Sequence, residues 1–397
     1  MDHRACHRAD RPGRPVRLGH WRSAAVSAGG TFELIIIGAG IVGAACAEAA
    51  VAAGLRVAVV ECGAVGGGAS AAAMGHLVAM DGDAHELALC SYSLRLWQRW
   101  ADWPQAEYQR CGTLWVARNG DELDTVAARV DALAAVGVQA VAVDAAGLYQ
   151  REPQLAAGLC GGMHVPGDAV VYPPRVAWRL IEDACRQGMQ LFAGARATQL
   201  VEDGVLLADG RVLRGPVLVA TGSALPELLP ELPMRARKGQ LVITDRHRPL
   251  LRHQLIEMGY AAAAHGADAA SVSFNVQPRP NGQLLIGSSR EYDATDNGIS
   301  MALLQRMLRR AFDFVPVLQE LRALRSWCGF RPATPDGLPY LGAVPGRHRV
   351  WVAAGHEGLG ITAAPGSARL LVDAFLGRSP ALALDPYRPD RLQQEVA

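Results

Sequence analysis

The alternation of apolar and polar positions sorts most of this chain into elements. An unbroken apolar run, Leu34-Ile35-Ile36-Ile37, is too short for a buried helix and reads as a strand covered on both faces. It enters Gly38-Ala39-Gly40-Ile41-Val42-Gly43, and a small-residue helical segment then leads to Gly54. A second apolar run, Val57–Val60, ends at Glu61. Strand, glycine turn, helix, strand and terminal acid make a dinucleotide-binding unit. Glycine lets backbone N–H groups approach a pyrophosphate at the positive end of the helix, and the acid accepts from ribose hydroxyls. The run Gly66–His76, directly after the acid, is rich in small residues that let backbone lie flat against a ligand.

Beyond this unit, Glu86–Trp103 puts Leu87, Cys90, Leu94 and Trp97 on one helical face, and Asp121–Val136 reads as another helix. Leu148–Pro153 and Pro166–Pro174 read as loops, and Arg175–Gln187 as a helix closed by Gly188. Short strands at Leu191-Phe192, Ala197–Val201, Val205–Leu207 and Arg211–Leu213, with turns at Asp203-Gly204 and Asp209-Gly210, form a meander. It feeds Val217-Leu218-Val219, a strand ending in Ala220-Thr221-Gly222. Gln240–Thr244, Ser271–Gln277 and Gln283–Gly287, with a hairpin turn at Asn281-Gly282, belong to a second, antiparallel region. Met301–Phe312 is helical; Val350–Ala353, a glycine turn over Gly355–Gly360 and a helix over Ile361–Leu376 close the chain. The expected architecture is α/β, α+β overall. A discontinuous Rossmann-like nucleotide-binding domain comes from 31–84, 165–235 and 326–392, and an inserted antiparallel-sheet substrate domain from 85–164 and 236–325.

Composition narrows the classes. Of 397 residues, 50% are hydrophobic and 19% charged, with a net charge of +1, which argues against a nucleic-acid partner. No apolar run approaches the ~20 residues of a membrane helix, so no stable membrane insertion is expected. Eight cysteines are scattered without a CxxC pair, favouring reduced thiols, a cytoplasmic location and no metal or iron–sulfur site. Residues 1–30 are rich in Arg and His, lack periodicity and an apolar core, and read as a disordered leader. Lys238 is the single lysine in an arginine-biased chain.

Three motifs converge: the first glycine unit with Glu61, the Ala220-Thr221-Gly222 strand end, and a C-terminal block. That block reads Gly329-Phe330-Arg331-Pro332-Ala333-Thr334-Pro335-Asp336-Gly337-Leu338-Pro339-Tyr340-Leu341-Gly342, then Gly355-His356-Glu357-Gly358-Leu359-Gly360-Ile361-Thr362. Together they resemble the FAD-dependent D-amino-acid oxidase/glycine oxidase superfamily over about residues 31–390. Met74–Val78 and Asn275–Arg279 with Leu284–Arg290 resemble the flavoprotein subunit of bacterial D-hydroxyproline dehydrogenases, a group that works with small redox partner subunits.

The resemblance implies a glutathione-reductase type FAD domain and roles for named residues. Gly38, Gly40 and Gly43 would hold the FAD pyrophosphate, and Glu61 the adenosine ribose. Ser70, Ala71 and Ala72 would line the diphosphate and flavin entrance, Ala197 would meet the adenine through its backbone, and Ala220 and Gly222 would close over the cofactor. Gly358, Leu359, Gly360, Ile361 and Thr362 would aim the last helix at the flavin edge that becomes negative on reduction. Arg331 would pair with a substrate carboxylate, because guanidinium binds it bidentately and stays charged in a pocket. Hydride would then pass from the substrate Cα to flavin N5, leaving an imine. Two departures stand out. Phe274-Asn275-Val276-Gln277 occupies the region where glycine oxidases carry a Tyr, for which Tyr260 would compensate, and Glu357 stands where some relatives carry a second Arg. His76 is a further polar candidate in the pocket, and His356 packs beside the flavin. The expected activity is oxidation of a D- or secondary amino acid. A non-catalytic flavin subunit and a flavin domain acting on a modified tRNA base are the competing readings.

Overall fold

The computed structural model describes residues 31–392 except 81, 261–269, 293 and 295, so the leader over 1–30 lies outside the described residues. A six-stranded sheet runs, in spatial order, Tyr340–Ala343, Val350–Ala354, Val217–Val219, Leu34–Ile37, Val57–Glu61 and Gln190–Ala193. All neighbours are parallel except the first pair. Because successive strand residues face opposite ways, Leu34, Ile36, Val57 and Val59 pack on helices Ile41–Ala52, Pro173–Arg186 and Gly360–Phe375. Ile35, Ile37, Ala58 and Val60 pack under the meander Ala197–Arg214 with Val205, Leu207 and Leu213. The unbroken apolar runs of these strands follow from that double cover.

The second sheet has eight strands, in the order Ala323–Ala333, Arg235–Thr244, Leu284–Tyr292, Ala270–Pro278, Gln254–Glu257, Thr113–Ala117, Gly161–Val165 and Val141–Asp144. It is mixed, not purely antiparallel: Gln254–Glu257 runs parallel to Thr113–Ala117, and this pairing joins the two inserted segments. Its outermost strand, Ala323–Ala333, carries chain from both sides of the boundary expected near 325.

One face of this sheet is apolar and packs on helix Met301–Phe314: Val242, Leu255, Phe274, Val276 and Ile286 meet Leu304, Met307 and Phe314. The alternate residues face the other way and include a polar row. On Ala270–Pro278 these are Ser273, Asn275 and Gln277, at 0%, 2% and 0% exposure, so the row is buried despite its polarity. That row faces the cleft described below.

Local differences have local causes. The helix expected to reach Trp103 ends as α-helix at Trp97, followed by tight turns at Gln98–Trp100 and Pro104–Ala106. Pro104 forces Trp103 out of the helical region, and Trp97, Trp100 and Trp103 pack on one another. Asp121–Val136 is two helices, Gly120–Asp124 and Val126–Ala135. The loop expected around Leu148 is a helix, Ala145–Arg151, because Asp144 caps it by accepting from the Gly147 amide at 2.7 Å. Lys238 is buried and pairs with Asp296 at 3.2 Å and Glu291 at 3.7 Å. Among the described residues no helix is long and apolar enough to cross a membrane.

The Phe274 and Phe314 rings stack at 4.2 Å between sheet and helix. Phe314→Ala is expected to lower unfolding free energy by about 3–5 kcal/mol, read from the urea midpoint, because the site cannot collapse around the lost ring. A loss below about 1 kcal/mol would show that the helix is not held through this stack.

Candidate active site

A single cleft of about 530 Å³ opens above the first glycine turn and runs to the polar face of the larger sheet. Gly38, Gly40, Glu61, Ser70, Ala72, Ala197, Ala220, Gly222, Gly358, Gly360 and Ile361 line it, together with His76, Tyr260 and Arg331. Thus the 329–342 block and the first βαβ turn share one cavity.

The floor at its nucleotide end is shaped by missing side chains. Gly38 has φ of +104°, and a Cβ there would lie 2.5 Å from the Ala220 carbonyl oxygen. A Cβ at Gly43 would lie 2.0 Å from the Gly38 carbonyl oxygen, so Gly43 sits beneath the turn and packs helix on strand without lining the cleft. Helix Ile41–Ala52 has no acidic residue in its first turn, which leaves its positive end for an anion. Ser70 Oγ already accepts from the Ile41 amide at 2.9 Å. Glu61 is oriented by two amides, Ala39 N–H at 2.7 Å and Gly63 N–H at 2.6 Å. A carboxylate held this way has lone pairs left for a diol.

Besides Gly43, three residues expected to touch the cofactor do not line the cleft. Ala71 lies on the exposed side of the short helix Gly68–Ala72. Leu359 packs into a small cluster with Val78 and Cys90. The Thr362 hydroxyl donates to His76 O at 3.1 Å and accepts from Val78 N–H at 3.2 Å, tying the last helix to the strand His76–Leu77.

The other end of the cleft is a charge cluster. The Arg331 side chain leaves the edge strand, crosses the neighbouring strand at Gly239 and donates from Nη1 to the Ser289 carbonyl at 3.2 Å. A Cβ at Gly239 would sit 2.3 Å from that Nη1, so only glycine lets the guanidinium cross. Arg237 pairs with Glu357 at 3.3 Å and lies 4.6 Å from the Tyr292 ring centre. Arg290 donates to Ser273 Oγ at 3.2 Å and lies 4.4 Å from the Tyr260 ring centre.

Burial holds the Arg331 guanidinium below its ordinary value, an effect opposed by Glu357 and reinforced by Arg290 and Arg237. Burial pushes the Glu357 carboxyl up, but Arg331, Arg290 and Arg237 outweigh it and hold the group ionised below the usual range. Burial likewise raises the Tyr260 phenol, while Arg290, Arg331 and the Ser288 hydrogen bond pull it below its ordinary value. Burial drives His76 and His356 each down to about 4, so both are neutral near pH 7. His356 Nε2 lies 2.9 Å from Ser367 Oγ, a structural contact.

Gly239, Asn275 and Ser288 were not singled out as site residues by sequence, yet all three line the cleft. A glycine inside a strand interior was the available signal for Gly239. Among the described residues, no group of three His, Cys, Asp or Glu is placed to hold a metal ion.

The sequence matches the family described as FAD dependent oxidoreductase over residues 33–374. It is 28% identical to the glycine oxidase of Pseudomonas aeruginosa over 386 residues, covering 90% of this chain and 98% of that protein. It is 30% identical to the D-amino acid dehydrogenase of Methylobacterium nodulans over 297 residues, covering 70% of this chain and 66% of that protein. The fold is similar to the crystal structure of glycine oxidase from Geobacillus kaustophilus, with a TM-score of 0.82 at 27% identity and 91% and 99% of the two chains covered. It is also similar in fold to L-proline dehydrogenase from P. horikoshii, with a TM-score of 0.84 at 20% identity and 92% and 98% covered.

Gly239→Ala is expected to retain bound flavin absorbance while displacing the Arg331 guanidinium, raising the dissociation constant of a carboxylated ligand about tenfold or more. Unchanged ligand affinity in this variant would show that Arg331 does not depend on the crossing.

Proposed function

The chain belongs to the FAD dependent oxidoreductase family, and from that premise we propose that it oxidises the C–N bond of a small D- or secondary amino acid, of the proline, hydroxyproline, glycine or sarcosine kind. The observation that carries this reading is Arg331, a half-buried guanidinium at the end of the cleft opposite the glycine turn.

The residues fit the cofactor. The amides at the start of helix Ile41–Ala52 suit its pyrophosphate, and the remaining lone pairs of Glu61 suit a ribose diol. Ala197, Ala220 and Gly222 offer a wall without bulky side chains. Helix Gly360–Phe375 has no acidic residue in its first turn, and Gly358 and Gly360 expose its positive end to the cleft. Bound FAD supplies the two-electron acceptor for the hydride that leaves the substrate Cα.

The chain's own part is binding and electrostatics. Arg331 takes the substrate carboxylate. Arg331, Arg290 and Arg237 all act on the Glu357 carboxylate, and Arg331 and Arg290 carry a positive field into the pocket. A bound ammonium is disfavoured there, and the amine is held neutral. As the Cα–H bond breaks with its electron pair, the nitrogen lone pair forms the C=N bond. No general base is needed for that step. The product imine is hydrolysed by water or released. Small redox partner subunits and a cytoplasmic location accompany this reading, the second supported by cysteines that are free throughout the described residues.

Anaerobic addition of D-proline, D-hydroxyproline, glycine or sarcosine is expected to bleach the flavin spectrum. A colourless purified protein, or one bleached by no amino acid, would overturn the reading. Peroxide formed in air would assign an oxidase, and bleaching without peroxide a dehydrogenase. Arg331→Ala is expected to keep its flavin and to weaken carboxylate binding about a hundredfold, as loss of a bidentate charge-assisted pair implies. Unchanged apparent affinity would remove Arg331 from the substrate site.

Tyr260 gives a pH signature. Its phenol ionises below the pH of a free tyrosine, and the phenolate competes with the substrate carboxylate for Arg331. Apparent affinity is therefore expected to fall on the alkaline side, and Tyr260→Phe to abolish that fall. An alkaline limb retained in the variant would assign it to another group.

A further inference from the structure

Asn275 lies in the middle of the polar row on strand Ala270–Pro278, is 2% exposed and lines the cleft. Its Oδ1 is buried and has no hydrogen-bond partner among the described residues. Of its neighbours in the row, Ser273 accepts from Arg290, and Gln277 Nε2 donates to the Met74 carbonyl at 2.6 Å while its Oε1 is likewise without a partner; Asn275 alone of the three lines the cleft. A buried acceptor left over in a polar, ligand-sized cavity costs free energy unless a donor reaches it.

The position relative to Arg331 is informative. Arg331 delivers its guanidinium to Ser289 on strand Leu284–Tyr292, and Asn275 is on the adjacent strand, paired with Gly287. Neighbouring strands lie about 4.8 Å apart and successive same-face residues about 6.6 Å. The gap between guanidinium and carboxamide therefore suits two groups borne on one carbon. One end offers only donors and wants a carboxylate. The other offers an acceptor and wants an N–H.

We propose that Asn275 receives the substrate's amino group, its Oδ1 accepting an N–H while Arg331 holds the carboxylate, so that the site takes primary and secondary α-amino acids and rejects tertiary ones. This rests on the amino-acid oxidation reading above. A carboxamide oxygen is not a base, so the proton stays on nitrogen. As the Cα–H bond breaks and the lone pair enters the C=N bond, nitrogen becomes positive and its N–H a stronger donor. The contact thus tightens toward the transition state, and its loss falls on the rate of bleaching as well as on binding. The charged and titratable groups facing the amine are Arg331, Arg237, Arg290, Glu357, Tyr260 and neutral His76. A neutral acceptor holds the amine without adding a negative charge that would restore the ammonium.

The test uses the flavin-loaded full chain with glycine, sarcosine, D-proline and N,N-dimethylglycine, and α-aminoisobutyrate as a ligand without a Cα–H. Asn275→Ala is expected to keep its flavin, to bleach about tenfold or more slowly with N–H substrates, and to bind α-aminoisobutyrate more weakly by calorimetry. Its discrimination between sarcosine and N,N-dimethylglycine should shrink. Asn275→Asp places a negative charge beside the amine and should move the acid limb of the bleaching rate to higher pH. Wild type bleached by these amino acids, with both variants unchanged in rate, affinity and pH profile, would overturn the role of Asn275 alone. Wild type bleached by none of them would overturn the amino-acid reading and this proposal with it. Ready bleaching by N,N-dimethylglycine would also overturn it, since that amine has no N–H to give.

Discussion

The Arg331 guanidinium and the Glu357 carboxylate line one end of the cleft, with Arg237 and Arg290 acting on both, and this cluster governs how the site is filled. Arg237, Arg290 and Arg331 all act on Glu357; Arg237 pairs with it directly at 3.3 Å, while Arg290 is held by Ser273 and the Tyr260 ring and Arg331 by the Ser289 carbonyl. Dipoles and ring faces soften the cost of burying a cation without cancelling its field. An anion entering this space gains more than it would in water, and a cation loses.

The fold delivers this cluster through one glycine and one turn. Gly239 lowers the second strand of the larger sheet so that Arg331 can cross it. The turn before the last helix is tied to the strand that carries Arg331: the Glu357 amide donates to Pro332 O at 2.9 Å, and Ala333 bridges His356. That helix is fixed in turn to the start of the chain through Thr362 with His76 and Val78, and through Trp97 Nε1, which donates to the Ile361 and Thr362 carbonyls at 3.1 and 3.0 Å. The anion-binding end and the carboxylate-binding end are thus parts of one hydrogen-bonded assembly. A nucleotide and a small acid bound there are held in register by backbone, the least adjustable material available.

What could be read in advance followed from where function and periodicity coincide. The first βαβ unit was legible because its strands are covered on both faces and its turn needs glycine. The block around Arg331 was legible as a motif. The cleft face of the larger sheet was not. Ser273, Asn275 and Gln277 alternate with Phe274 and Val276, but a polar alternate normally means a solvated face, and only the sheet order reveals that this one is buried. Gly239 acquires meaning only once Arg331 is known to lie across it. Boundaries were missed where one side chain decides them, as with the Asp144 cap. The resemblance implies contacts at Ala71, Leu359 and Thr362, which adjoin residues that do line the cleft, yet on a helix or tight turn adjacent residues point in different directions.

Lys238 shows that the positive charge of the cleft is a local arrangement and not a reflection of composition. It follows Arg237 directly on the same strand, so its side chain leaves from the opposite face. There it meets Asp296 and Glu291, two acids to one base. Deeper on that helix-covered side, Arg310 is paired with Glu257. On one face of this strand Lys238 thus meets two acids, while on the other Arg237 pairs with Glu357, in a chain whose net charge is only +1. If arginine bias alone had filled these positions, both faces would carry the same imbalance. Among the described residues the two faces differ: Lys238 meets two acids, whereas Arg237 shares Glu357 with Arg331 and Arg290.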